Sequence, residues 1–153
     1  MISKSQSLYD KYGGYNTIYK IIVDLYKELC DHPEIAQHFI GVDLDRLIKL
    51  QTQFVSRALG ASIDYKGRPL RRAHHFLNIT EFQYCEVGKI FISIFMKYGF
   101  NDEDARAVIE LLKQEQANIV TARWSLIDSI VKPFYFVVNY FEEVLKRRNA
   151  LDE

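Results

Sequence analysis

From Tyr15 to Asp31 the apolar residues Ile18, Ile22, Leu25 and Leu29 recur at spacings of four, three and four. That is one face of an amphipathic helix, and the same period governs almost the whole chain. Gly and Pro number only 7 and 3, too few for the frequent turns of an all-β protein. The punctuation divides the pattern into helices. Gly13-Gly14 is a turn after a short first helix ending near Tyr12, and His32-Pro33 stops the second, because the residue before proline avoids the α region. Glu34 to Phe39 has room for one further turn before Gly41. A helix from about Asp43 to Leu59 carries the stripe Leu44, Leu47, Ile48, Gln51, Val55 and Ala58. Ala61 to Pro69 has no period and reads as loop, and residues 70–76 have room for one or two helical turns. Thr80 with Gln83 forms a capping box that opens a helix to about Tyr98, stopped by Gly99. Asn101 and Asp104 open another through Ala122, and a last periodic segment runs from about Leu126 to Arg148. The expectation is an all-α chain of five or six main helices.

At 153 residues the chain has room for one domain with a respectable core. Its 20 Lys and Arg balance 20 Asp and Glu, so it lacks the electrostatic footprint of a nucleic-acid binder. No segment approaches the roughly 18 apolar residues of a membrane span, and residues 1–7 have no apolar core for a signal peptide. Two isolated cysteines, Cys30 and Cys85, make neither a disulfide framework nor a thiolate metal site. They read as inert core thiols on helices, and a cytoplasmic home fits them. Ten Phe, ten Tyr and one Trp suit a deep core, an aromatic-lined pocket or both.

Two features resist a purely structural reading. Tyr26 and Gln51 place polar groups on apolar helical faces, where an unpartnered amide or phenol costs roughly 1–3 kcal/mol. Either they satisfy each other or a backbone carbonyl, or both point at a small polar ligand. His74 stands on a short basic segment beside Arg71 and Arg72. No His-Glu-x-x-His, Cys-x-x-Cys or carboxylate cluster accompanies it. A protein supplying one imidazole needs a prosthetic group for the remaining ligands, as haem does. His32, His38 and His75 read as structural or solvated.

These motifs carry a resemblance. Ser7-Leu8-Tyr9-Asp10-Lys11-Tyr12-Gly13-Gly14, Asp24-Leu25-Tyr26, Asp31-His32-Pro33, Phe39-Ile40-Gly41-Val42-Asp43, Gln51-x-x-Phe54, Leu59-Gly60, Tyr65-x-Gly67-Arg68-x-Leu70-Arg71-x-x-His74 and Asn78-Ile79-Thr80 occur in order. Over about four fifths of its length the chain resembles the truncated haemoglobins, the two-over-two globins, and group I most. The resemblance implies a truncated globin domain over residues 1–122, with a C-terminal helical extension over 123–153. It implies haem b (iron protoporphyrin IX), with His74 as the proximal iron ligand and Tyr26 and Gln51 as the distal pair. Phe39 matches the phenylalanine wedged on the haem face, and Leu47 an apolar distal position. Tyr65, Arg71 and Arg46 fall at propionate partners. Leu70, Tyr84 and Val87 fall on the haem wall, Val87 where groups II and III usually carry tryptophan. Ala61 and Ser62 depart from the family's glycine and proline. Val55 stands where some members carry a tunnel-gating phenylalanine, which argues against such gating.

The function implied is reversible binding of O2, with NO and CO as further ligands, at a five-coordinate iron. Oxygen transport or nitric oxide detoxification would follow, and in a nitric oxide dioxygenase a separate reductase would restore the iron, since no flavin or nicotinamide fingerprint is present. The alternative is a haem-based gas sensor or interaction module signalling through its C-terminal helix. There Ile127, Val131, Phe134, Val138, Phe141 and Leu145 form a heptad seam. The seam would pack back on its own globin, form a homodimer through residues 127–145, or lie on a membrane surface. Glu142–Lys146 and Glu143–Arg147 are i,i+4 pairs expected on its outer face.

Overall fold

The computed structural model describes residues 6–122 together with Asn139, Glu142, Glu143 and Lys146. Its elements are α1 (Leu8–Lys11), α2 (Gly14–Asp31), a 3-10 turn (Ala36–Phe39), α3 (Leu44–Ala58), α4 (Leu70–His74), α5 (Glu81–Lys97) and α6 (Asp102–Ile119). No strand occurs among the described residues. The helix starts follow the sequence signals. The Asp43 carboxylate accepts from Arg46 N–H at 3.0 Å, and Asn101 Oδ1 from Asp104 N–H at 2.9 Å. The Thr80–Gln83 box closes in both directions, at 3.0 and 3.1 Å, satisfying two N–H groups that a helix start leaves without partners. No helix among the described residues is long and apolar enough to cross a membrane.

The chain forms two compact units. Among the described residues, one holds 6–67 with Lys97–Phe100, and the other holds Arg68–Met96 with the residues from Asn101 to Ala122. In the first, α2 packs on α1, α3 and the 3-10 turn. Ile18, Ile21 and Ile22 are fully buried, with Leu25, Leu29, Val55 and Leu59 around them. Each such aliphatic side chain contributes about 1.5–3 kcal/mol by leaving water. Tyr12 stacks on Phe100 with centroids 3.6 Å apart, and Tyr98 donates to Asp24 at 3.0 Å. Gly60 carries φ +105°, and a Cβ there would lie 2.7 Å from the Ser7 Cβ, so both backbone conformation and space demand glycine.

In the second unit Tyr84, Phe91, Ile92 and Phe95 of α5 are buried, as are Ala105, Val108 and Ile109 of α6. The Tyr84 hydroxyl donates to the Leu112 carbonyl at 2.5 Å, and Gln116 to Glu81 at 2.9 Å. One expectation needs correction. Cys30 is only half-buried, because it sits in the last turn of α2 rather than inside the core. Glu142 stays partly exposed within reach of Lys146, as the i,i+4 spacing implies, and it also pairs with Arg106 of α6. The seam from Ile127 to Leu145, and the homodimer built on it, lie outside the described residues.

Candidate functional site

In the first unit Tyr26 belongs to the buried face of α2, with 8% of its surface exposed. Phe39 closes the 3-10 turn and meets it edge-to-face, with centroids 5.4 Å apart and planes at 80°, a favourable aromatic geometry. The local sequence explains the corner: Pro33 ends α2, and only the short turn Ala36–Phe39 fits before Gly41, whose φ is +75°. Burial pushes the Tyr26 phenol well above its usual 10.0, and Cys30 and Tyr65 add to the shift. The hydroxyl therefore stays protonated, a donor, throughout the physiological range.

No hydrogen bond joins the Tyr26 hydroxyl to Gln51 or to a backbone carbonyl among the described residues. Among the described residues the fully buried polar side-chain atom without a partner is Ser56 Oγ; the Tyr26 hydroxyl is not sealed off in that way although its ring is buried. Gln51 is half-buried on α3, and its amide likewise has no hydrogen-bond partner among the described residues. Mutual satisfaction is thus not what these residues do. Leu47 is half-buried one turn earlier, and Arg46 is exposed in the first turn of α3. Tyr65 packs edge-to-face on Phe54 at 5.5 Å. Its ring also lies directly against Gly67, filling the space a Cβ would need. Lys66 N–H donates to Gln53 at 3.2 Å, which ties this loop to α3.

In the second unit His74 ends α4 and is half-buried. Its Nδ1 lies 2.7 Å from the Leu70 carbonyl. A carbonyl only accepts, so Nδ1 carries the proton and the Nε2 lone pair is left for a metal. The i,i+4 spacing of Leu70 and His74 on a helix held that signal, and it went unread in the sequence. Leu70 is half-buried, Arg71 is exposed without an ion pair among the described residues, and Val87 is half-buried one turn from buried Tyr84. His75 packs edge-to-face on exposed Phe76, and His32 Nδ1 accepts from Glu34 N–H at 3.2 Å, consistent with structural or solvated roles.

The chemistry of the donor set fits haem. One imidazole is presented with a fixed tautomer, and no group of three or more His, Cys, Asp or Glu among the described residues could hold a bare metal ion. A macrocycle bringing its own nitrogen donors would need only that one imidazole from the protein.

Sequence reasoning also missed Thr121. Its Oγ1 accepts from Ile79 N–H at 3.2 Å and donates to the His74 carbonyl at 3.3 Å. A lone threonine 47 residues away carries no signal that spacing could reveal.

The bacterial-like globin family model matches residues 7–121. A group 1 truncated haemoglobin of Tetrahymena pyriformis is 26% identical over 117 residues, covering 74% of this chain and 97% of that protein. Another from Nostoc sp. is 24% identical over 104 residues, covering 68% and 88%. The crystal structure of the Tetrahymena pyriformis truncated haemoglobin in its Fe(III) form superposes with a TM-score of 0.72 at 22% identity, covering 76% of this chain and 99% of that one. The 2/2 haemoglobin of Synechococcus sp., solved with covalently attached haem, gives 0.70 at 17% identity, covering 75% and 98%. With the family matched over most of its length and the fold shared with these structures, the chain belongs to the bacterial-like globins and is a truncated haemoglobin, whose cofactor is haem b.

Proposed function

We propose that this truncated haemoglobin binds oxygen and other diatomic gases reversibly, with His74 as the sole protein ligand of the iron and Tyr26 and Gln51 as donors to the gas. The observation that carries the reading is the 2.7 Å contact between His74 Nδ1 and the Leu70 carbonyl. It fixes the tautomer that leaves Nε2 free, and it raises the basicity of that nitrogen. When bound, haem supplies the iron at which a diatomic molecule is held.

The chain's own residues do the rest. Leu70 holds the imaginable rotations of the imidazole to one, and Tyr26 keeps its proton because burial disfavours the phenolate. The Gln51 amide is a second donor that needs no titration. Donors of this kind favour a ligand that gathers negative charge over a less polar one, so oxygen gains more than carbon monoxide. Phe39 limits the positions Tyr26 can take.

Optical titration of the reduced, haem-loaded protein with oxygen tests this. The expected result is saturable one-site binding that reverses when oxygen is removed, and loss of haem from His74→Ala. A wild type that takes up no haem, or a His74→Ala protein that holds haem normally, contradicts the proposal.

A further inference from the structure

We infer that Thr121 is a positioning residue for the proximal histidine, an inference that rests on the assignment of His74 to the iron. Helix α4 is five residues long, too short to persist by its own hydrogen bonds, because nucleating a helix costs more than one turn returns. Something outside it must fix the direction in which His74 points. Four bonds from the segment after α6 hold the turn that follows α4. Thr121 N–H and Ala122 N–H both donate to the Ile79 carbonyl at 3.0 Å. Thr121 Oγ1 accepts from Ile79 N–H at 3.2 Å and donates to the His74 carbonyl at 3.3 Å.

The His74 carbonyl also accepts from Leu77 N–H at 3.0 Å. It is one of the carbonyls that the end of a helix leaves without an intrahelical partner. Thr121 is the side chain that reaches it across the chain, and the same hydroxyl holds the far end of the turn at Ile79. Between these two anchors lies Asn78, with φ +49°, a left-handed conformation that context must hold in place for a residue other than glycine. The turn leaving His74 is therefore clamped at both ends by one threonine. Thr121 lies two residues before the proposed start of the C-terminal extension at 123.

The experiment compares Thr121→Val, which keeps the shape and removes the hydroxyl, with Thr121→Ser, which restores it. The readouts are the iron–histidine stretch of the ferrous ligand-free protein by resonance Raman, haem transfer to apomyoglobin, and amide exchange at Ile79. Thr121→Val is expected to shift or broaden the stretch, to speed haem loss about two- to tenfold and to speed Ile79 exchange, with Thr121→Ser close to wild type. A His74-dependent band that Thr121→Val leaves unmoved overturns the inference alone, as does a serine variant that behaves like valine. A wild type without a His74-dependent band overturns the haem assignment and this inference with it. Should Thr121→Val fail to fold, exchange in the wild type decides: protected amides at Ile79, Thr121 and Ala122 support the clamp, and freely exchanging ones refute it.

Discussion

Tyr26→Phe separates what the hydroxyl does for the gas from what the ring does for the fold. The ring is buried and keeps its edge-to-face contact with Phe39 in either residue. The hydroxyl has no hydrogen-bond partner among the described residues and is not among the sealed, unsatisfied atoms there. Removing it should therefore leave the stability of the apoprotein within about 0.5 kcal/mol of wild type, the range of substitutions that break no structural feature. The ligand-bound state should respond very differently. A hydrogen bond to a charged group is worth about 1.5–3 kcal/mol, so oxygen should dissociate on the order of tenfold to a hundredfold faster. Carbon monoxide should change less. Oxygen off-rates by stopped-flow replacement, and urea denaturation of the apoprotein, give the two numbers. An unchanged oxygen off-rate refutes the donor role. An apoprotein destabilised by about 2 kcal/mol shows that the hydroxyl has a structural partner, and refutes the reasoning from the other side.

Ser56 is fully buried in α3 and its Oγ has no partner; Ser56→Ala should raise stability by about 1 kcal/mol in urea denaturation, and a loss of that size would contradict the buried orphan. Gly67→Ala puts a methyl group against the far end of the half-buried Tyr65 ring, which must swing aside; stability in urea denaturation should stay within about 0.5 kcal/mol of wild type, and a loss of about 2 kcal/mol would show that the ring is fixed in place. Burial pushes the Cys85 thiol from 9.0 up to about 12 and raises the Tyr26 and Tyr84 phenols above 10.0. The native state thus holds protons that the unfolded chain loses first. This stabilisation is complete below pH 9 and falls as pH rises from there, by up to about 1.4 kcal/mol per pH unit for each group in its window. Urea denaturation between pH 8 and 12 should show that fall, reduced above pH 9 in Cys85→Ala, and a flat profile would contradict it.

Much of the architecture was legible because its signals are local. Asp43, Thr80 with Gln83, and Asn101 mark helix starts within three residues of the N–H groups they satisfy. Gly13-Gly14 and Pro33 mark breaks by backbone chemistry that needs no tertiary context. Tyr26 and Gln51 stood out because a polar group on an apolar face is costly wherever the chain folds. Contacts distant in sequence were not legible. Arg106 meets Glu142 across 36 residues, and the i,i+4 pattern of Glu142 offered only Lys146. Thr121 reaches Ile79 and His74 from the end of α6, and the hydroxyl of Ser56 reads in sequence like any helix-surface serine. The apolar neighbours of Cys30 in sequence point to a core thiol, but its place in the last turn of α2 decides its exposure.

The central claim is that one histidine, held by the Leu70 carbonyl, is the iron's only protein ligand. The absorption and resonance Raman spectra of the ferrous, ligand-free protein test it most directly, in the wild type and in His74→Ala. The account predicts a five-coordinate high-spin spectrum with an iron–histidine stretch in the wild type, and loss of haem or of that band in the variant. A six-coordinate bis-histidine spectrum, or a stretch that survives in His74→Ala, would contradict it.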